Sequence, residues 1–287
     1  MVSNSKLLPL RDVIARHGIS ARRRLGQHFL LDLNLTRRIV EAAGNLASVT
    51  VIEVGAGPGG LTRALLETDA RRILAIERDR RCLAALEELA AAYPRRLDVL
   101  AADALVVDPA ALTDAPRHIV ANLPYNIATP LLVRWLSQVG TYAGLTLMFQ
   151  KEVGARLAAS PGTKAYGRLS VLAQWLCEVR PLFDISPRAF TPPPKVTSTV
   201  VALKPRPAPL FEADQVVLQR VVAAAFGRRR KMLRTSLNSL GADTAHLVAE
   251  AGVAPTARAE ELSVAEFCSL ARALVTLRGL ANQMGSF

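Results

Sequence analysis

A glycine cluster and three carboxylates are spaced along the first third of the chain in a way that could hold a nucleoside-bearing ligand. Glu53-Val54-Gly55-Ala56-Gly57-Pro58-Gly59-Gly60-Leu61-Thr62 follows a β-branched run and precedes a helical pattern. Glycines there allow a tight turn and a close approach of ligand to backbone, with free N–H groups at the helix start. Glu77 ends the next strand about twenty residues on, where a carboxylate can accept from both hydroxyls of a ribose. Glu53, just ahead of the glycines, would repel a pyrophosphate but suits a ligand with a cationic amine and a sulfonium. Asp103 adds a carboxylate placed to accept from an adenine amino group. Each feature alone reads as an ordinary turn or a solvated charge. The ordered series favours S-adenosylmethionine over a dinucleotide.

Asn122-Leu123-Pro124-Tyr125 could then prepare a weak nitrogen nucleophile. The exocyclic amine of adenine reacts poorly because its lone pair is delocalised into the ring. The Asn122 side-chain oxygen and the Leu123 carbonyl could accept both amine protons and turn the lone pair toward a methyl group, so that alignment supplies most of the acceleration. Pro124 stiffens the turn, and Tyr125 offers a ring face to an extruded base. No strong base is needed, in keeping with the absence of a nearby catalytic histidine. In isolation the same four residues would read equally well as a turn with a buried tyrosine.

The elements around these residues put them at strand ends. Short apolar runs at 50–54, 72–77, 97–101 and 118–121 alternate with helical patterns at 61–67 and after 77 to about 92. Helices are also expected at 10–17 and 34–43. Such alternation predicts a parallel sheet with helices on both faces, whose ligand lies beyond the carboxyl ends of the strands. Residues 135–150 read as core and loop. Past Pro181 the texture changes: Phe190-Thr191-Pro192-Pro193-Pro194 is a stiff loop, a strand is expected at 196–203, and Pro205, Pro207 and Pro209 punctuate a linker. From about 210 the periodicity is helical. The expected division is an α/β catalytic domain over 1–205 and a small helical domain over 206–287.

Half of the 287 residues are hydrophobic, enough for a sizeable core, and no uninterrupted apolar run is long enough for a membrane span. The formal charge of +12 argues for a polyanionic partner. Arg22-Arg23-Arg24 and the cluster Arg228, Arg229, Arg230, Lys231 and Arg234 could meet phosphates, although such blocks are often only solvated faces. Cys82, Cys177 and Cys268 show neither a disulfide framework nor zinc spacing, and suit a reducing cytosol. A transit peptide is the weaker reading of the Arg-rich first thirty residues.

The chain resembles the ribosomal RNA adenine dimethyltransferases, and most nearly those acting on the small subunit. The resemblance rests on Leu25-Gly-Gln-His-Phe-Leu30, the loop Glu53 to Thr62, Asn122-Leu-Pro-Tyr-Asn-Ile127, Gln150-Lys-Glu-Val153, Lys164-Ala-Tyr-Gly-Arg-Leu-Ser170, Phe190-Thr-Pro-Pro-Pro-Lys-Val196, Ser198, Arg229-Arg-Lys231 and Arg234. It implies a Rossmann-like catalytic domain with a C-terminal helical domain that binds RNA. It also implies S-adenosylmethionine as methyl donor with no metal, and cofactor contacts at His28, Leu30, Gly55, Glu77, Asp103 and Asn122. The implied catalytic set is Asn122, Leu123, Tyr125 and Phe190, with Phe190 packing the second face of the target adenine; from the residues alone, Phe190 reads as core. The implied substrate is two adjacent adenines of 16S rRNA within the small ribosomal subunit or its precursor, methylated by a cytoplasmic monomer. Selection of one adenine pair would then come from rRNA shape. The family usually has asparagine where this chain has His28, which puts cofactor affinity in doubt. Rival readings are a large-subunit rRNA adenine methyltransferase, a non-catalytic assembly or transcription factor on the same fold, and a DNA adenine methyltransferase. The segment 164–170 and the Arg-Arg-Lys helix weigh against the first, the intact Asn122-Leu-Pro-Tyr125 against the second, and Asn122 against the third.

Overall fold

The β-branched runs at 50–54 and 73–77 are buried on both faces, as central strands of a parallel sheet must be. In the computed structural model, residues 7–22 and 26–284 are described, with side chains to 278. Along the chain these form α1 (Leu10–Arg16), β1 (Phe29–Leu30), α2 (Leu33–Glu41), β2 (Thr50–Val54), α3 (Gly60–Leu66), β3 (Arg72–Glu77), α4 (Arg80–Ala92), β4 (Leu97–Ala101), β5 (Arg117–Asn122), α5 (Tyr125–Ser137) and β6 (Gly144–Gln150). They continue as α6 (Lys151–Leu157), α7 (Arg168–Leu176), β7 (Cys177–Ile185), β8 (Phe190–Thr191), β9 (Ser198–Pro205), α8 (Gln215–Gly227), α9 (Leu233–Ser236), α10 (Thr244–Glu250) and α11 (Val264–Met284).

Seven strands form one sheet in the order β4-β3-β2-β5-β6-β9-β7. The five from β4 to β6 run parallel, and β9 pairs antiparallel with β6. Successive strands step outward from β2 in one direction and then from β5 in the other, so strand order reverses between these two. A crevice opens at such a reversal, at the carboxyl ends of the strands. A separate two-stranded pairing, Phe29 opposite Thr191 and Leu30 opposite Phe190, brings the segment before α2 against the proline loop.

The chain divides into two compact units, one made of residues 1–154 and 180–205, the other of 155–179 and 206–287. The expected single boundary near 205 therefore misses residues 155–179. The physical reason lies in α7, where Leu169, Val171, Leu172, Ala173 and Trp175 are all buried. A helix apolar on so many sides needs helical neighbours. Within the second unit Tyr166 meets Phe226 edge-on, Phe226 stacks on Phe267 at 5.6 Å, and the Trp175 indole donates to the Phe211 carbonyl at 2.7 Å.

Residues 135–150, read as core and loop, hold the end of α5 and the strand β6. Leu145, Leu147, Met148 and Phe149 are all buried, so this central strand has no polar alternation to mark it.

Candidate active site

An open cleft of about 1070 Å³, mouth included, lies at the strand ends of the first unit. Its walls include residues 26–30, the glycine loop, Glu77, Arg78, Asp103 and residues 122–127. The loop from Gly55 to Gly59 runs with φ values of +72°, +57° and +89° at its three odd positions, a conformation that L side chains rarely adopt. At the first helical position, a Cβ on Gly60 would stand 2.7 Å from the Leu30 carbonyl oxygen. β1 therefore crosses the loop at backbone contact.

Glu77 pins this loop. Its Oε2 accepts from the Gly57 N–H at 2.8 Å, and Oε1 accepts from the N–H groups of Arg78 and Asp79 at 2.7 and 2.8 Å. Asp79 caps α4 by accepting from Arg81 N and also receives the Gln27 side-chain amide at 3.1 Å. Its hydrogen bond from the Arg81 guanidinium holds its carboxyl down at about 2. Asp103 accepts from the Leu105 N–H through one oxygen and from Arg78 through the other, at 2.8 Å.

Glu53 is buried at 1% exposure, and its Oε2 has no hydrogen-bond partner. Burial pushes its carboxyl up to about 8, partly offset by nearby Thr62 and reinforced by the charge of Glu77. A carboxyl with one unpartnered oxygen on the wall of this cleft fits a ligand that brings a cationic amine.

At the end of β5 the Asn122 side-chain amide donates through Nδ2 to the His28 carbonyl at 3.2 Å. This turns Oδ1 to the other side as a remaining acceptor. Tyr125 opens α5, its ring anchored by a 2.6 Å hydrogen bond between its hydroxyl and Ser198 Oγ. Burial raises its phenol, and Ser198 opposes the rise. His28, 94 residues from Asn122 in sequence, comes beside this pair. Its ring lies 5.8 Å from that of Tyr125 between centroids, and its Nδ1 is 2.7 Å from the Pro192 carbonyl. The expectation that no histidine lies near the chemical centre thus held only along the sequence.

Of the expected residues, the structure brings His28, Leu30, Gly55, Glu77, Asp103, Asn122, Leu123 and Tyr125 together along the cleft. It places Phe190 elsewhere. Paired through its backbone with Leu30, Phe190 is 3% exposed in a core that includes Ile185 and Val200, and meets His28 edge-on at 6.5 Å. Phe190 packs beside His28 and does not line the cleft, because an aromatic side chain at this position gains more from the core than from an open wall. Arg78 and Gln27 also line the cleft without having been singled out from sequence; Arg78 directly follows Glu77 and Gln27 directly precedes His28. Arg23, Arg24 and Leu25 lie outside the described residues, while Arg22 is exposed and donates through its N–H to the Gln27 side-chain oxygen.

In the second unit Arg228, Arg230, Lys231 and Arg234 are exposed. Arg229 differs: it pairs with Glu260 at 2.5 Å and donates to the Lys164 carbonyl. Among the described residues, no group of acids, histidines or cysteines is arranged to hold a metal ion, and no helix is long and apolar enough to cross a membrane.

A strand-order reversal carrying a glycine loop, an acid closing the second strand and Asn-Leu-Pro-Tyr closing the fourth defines a Rossmann-like methyltransferase, for which S-adenosylmethionine is the methyl donor. A family model described as ribosomal RNA adenine dimethylase matches residues 18–275, and the chain belongs to that family. The ribosomal RNA small subunit methyltransferase A of Rhodospirillum rubrum is 63% identical over 268 residues, covering 93% of each chain. That of Paramagnetospirillum magneticum is 62% identical over the same length, covering 93% of this chain and 95% of its own. Among solved structures, a dimethyladenosine transferase from Plasmodium falciparum shares the fold, with a TM-score of 0.74 at 24% identity over 88% of this chain and 98% of that one. The 23S rRNA methyltransferase ErmE gives a TM-score of 0.65 at 28% identity, over 86% and 99%.

Proposed function

We propose that this chain transfers methyl groups from S-adenosylmethionine to the N6 atoms of two adjacent adenines in 16S rRNA, within the small subunit or its precursor during ribosome assembly. The observation that carries the chemistry is the Asn122 amide, held through Nδ2 by the His28 carbonyl so that Oδ1 remains an acceptor next to the Leu123 carbonyl and the Tyr125 ring. Names and identities of the relatives favour the small subunit over the large: 63% against 28%.

When bound, S-adenosylmethionine supplies the electrophilic methyl. His28, Leu30, Gly55, Glu77, Asp103 and Asn122 are the residues that would hold it, with Glu53 facing its cationic part. Asn122 Oδ1 and the Leu123 carbonyl take the two N6 protons as hydrogen bonds and direct the lone pair, while Tyr125 carries the ring face of the base. Phe190 supports this arrangement from beside His28. Arg228, Arg230, Lys231 and Arg234 meet rRNA phosphates, which position the substrate without reading its sequence. The protein works as a cytoplasmic monomer.

The test is to incubate the protein with labelled S-adenosylmethionine and ribosomal subunits from a strain lacking this methylation, and to map the label. Two neighbouring N6,N6-dimethyladenines in 16S rRNA are expected. Label confined to 23S rRNA, or none in either subunit, would overturn the proposal.

A further inference from the structure

Every methyl transfer to an amino nitrogen leaves that nitrogen with one proton too many. Asn122 Oδ1 and the Leu123 carbonyl orient an amine but are too weakly basic to keep a proton. Most other groups around the cleft are already engaged. Glu77 accepts from three backbone N–H groups, and Asp103 is paired with Arg78. Asp79 is held by Arg81 and Gln27, and the Tyr125 hydroxyl is bound to Ser198. Glu53 is buried and set against the cationic part of the ligand. On the segment that carries Pro192, Arg188 and Lys195 are exposed cations.

His28 is the exception. A carbonyl oxygen can only accept, so the 2.7 Å contact with Pro192 O requires the hydrogen to sit on Nδ1. In the neutral ring Nε2 therefore bears the lone pair, and among the described residues it has no hydrogen-bond partner. The same residue gives its carbonyl to the Asn122 amide, and its ring lies 5.8 Å from that of Tyr125. The imidazole is thus fixed by Pro192 on one side and tied through its own backbone to the group that orients the amine.

We propose that His28 Nε2 is the proton acceptor in each transfer, an inference that rests on the adenine-N6 reading above. The N6 lone pair forms a bond to the methyl carbon as the carbon–sulfur bond breaks, its electron pair staying on sulfur. N6, now positive, gives one proton to Nε2. The ring becomes an imidazolium with Nδ1–H still on the Pro192 carbonyl, and it returns the proton to water before the next transfer. Two methylations of one amine use the cycle twice.

Two measurements test this. The first is a long-range ¹H–¹⁵N spectrum of the four histidine rings in the full-length protein at alkaline pH, with His28 assigned by comparison with His28→Asn. Its neutral ring should carry hydrogen on Nδ1 and a bare Nε2; hydrogen on Nε2 would overturn the proposal without touching the adenine reading. The second is the single-turnover methylation rate against pH at saturating S-adenosylmethionine. Wild type should show an acid limb, whereas His28→Asn, the residue usual in the family, should be slower by about a hundredfold and lack that limb. An unchanged rate and limb in His28→Asn would overturn the proposal. Failure of wild type to methylate 16S rRNA at all would instead remove the reading on which it rests.

Discussion

Asn122 has one end of its amide committed to the His28 carbonyl, so a change there affects orientation as well as hydrogen bonding. Asn122→Ala should slow single-turnover methylation by about a hundred- to a thousandfold, or ~3–4 kcal/mol, while subunit binding measured separately stays near wild type. A near-normal rate would remove the orienting role. Tyr125→Ala should also be slow, whereas Tyr125→Phe keeps the ring but frees it from Ser198, and should retain most of the rate. Glu53 makes a prediction about pH. Its carboxyl is raised from an ordinary value near 4.5 to about 8, so the fold favours the protonated form. That contribution is complete below about 4.5 and is lost as pH rises through 8, so the ligand-free protein should lose stability across this window. Denaturation of Glu53→Gln between pH 5 and 9 should show a flatter profile than wild type; parallel profiles would contradict the assignment. At this scale the sequence spoke clearly where a residue sits at a strand end, as with Glu77, Asp103 and Asn122. It was silent on contacts closed by folding over long separations. His28 meets Asn122 only because β1 crosses the glycine loop, and Phe190 is drawn into the core by the same pairing.

The glycine loop behaves as an element because the end of β3 holds its amides, Gly57 through the Glu77 carboxylate and Gly55 through the Ile76 carbonyl. Glu77→Ala would leave the Gly57, Arg78 and Asp79 N–H groups without their carboxylate. It should therefore weaken S-adenosylmethionine binding by on the order of 1–3 kcal/mol and lower thermal stability as well. Calorimetry and a melting curve on the same sample separate the two effects, and unchanged affinity in a folded variant would remove Glu77 from the site. The strands of the first half were legible because short apolar runs stop at or just before a glycine, an acid or Asn122. The strand β6 was not, since between Leu145 and Phe149 the one polar residue, Thr146, is itself buried, and a strand buried on both faces shows no alternation. The helix α7 was missed for a related reason: it is apolar on nearly every side and sits between segments of the other unit in sequence.

Across the whole molecule the positive charge is not evenly available. Arg229 is held by Glu260 and the Lys164 carbonyl, so its replacement should destabilise the helical unit as well as remove a charge. Neutralising Arg228, Arg230 and Lys231 together should weaken small-subunit binding and flatten its dependence on salt, because fewer counterions are released. Affinity for S-adenosylmethionine should be unchanged. A wild-type salt slope would mean that the cluster is only a solvated surface. The division into units carries a prediction of its own. A fragment of residues 1–205 retains 155–179 but lacks the rest of their unit, so the apolar sides of α7 should lie bare, bind a hydrophobic dye and drive aggregation. A monodisperse fragment with no dye binding would show that the boundary near 205 is physically adequate after all. The same interleaving sets a timetable for synthesis. A nascent chain delivers α7 before β9 has completed the first sheet, and well before α8 and α11 exist to cover it. Through that interval the growing protein carries an unsheathed apolar helix, and a chaperone that screens emerging chains would find its grip there.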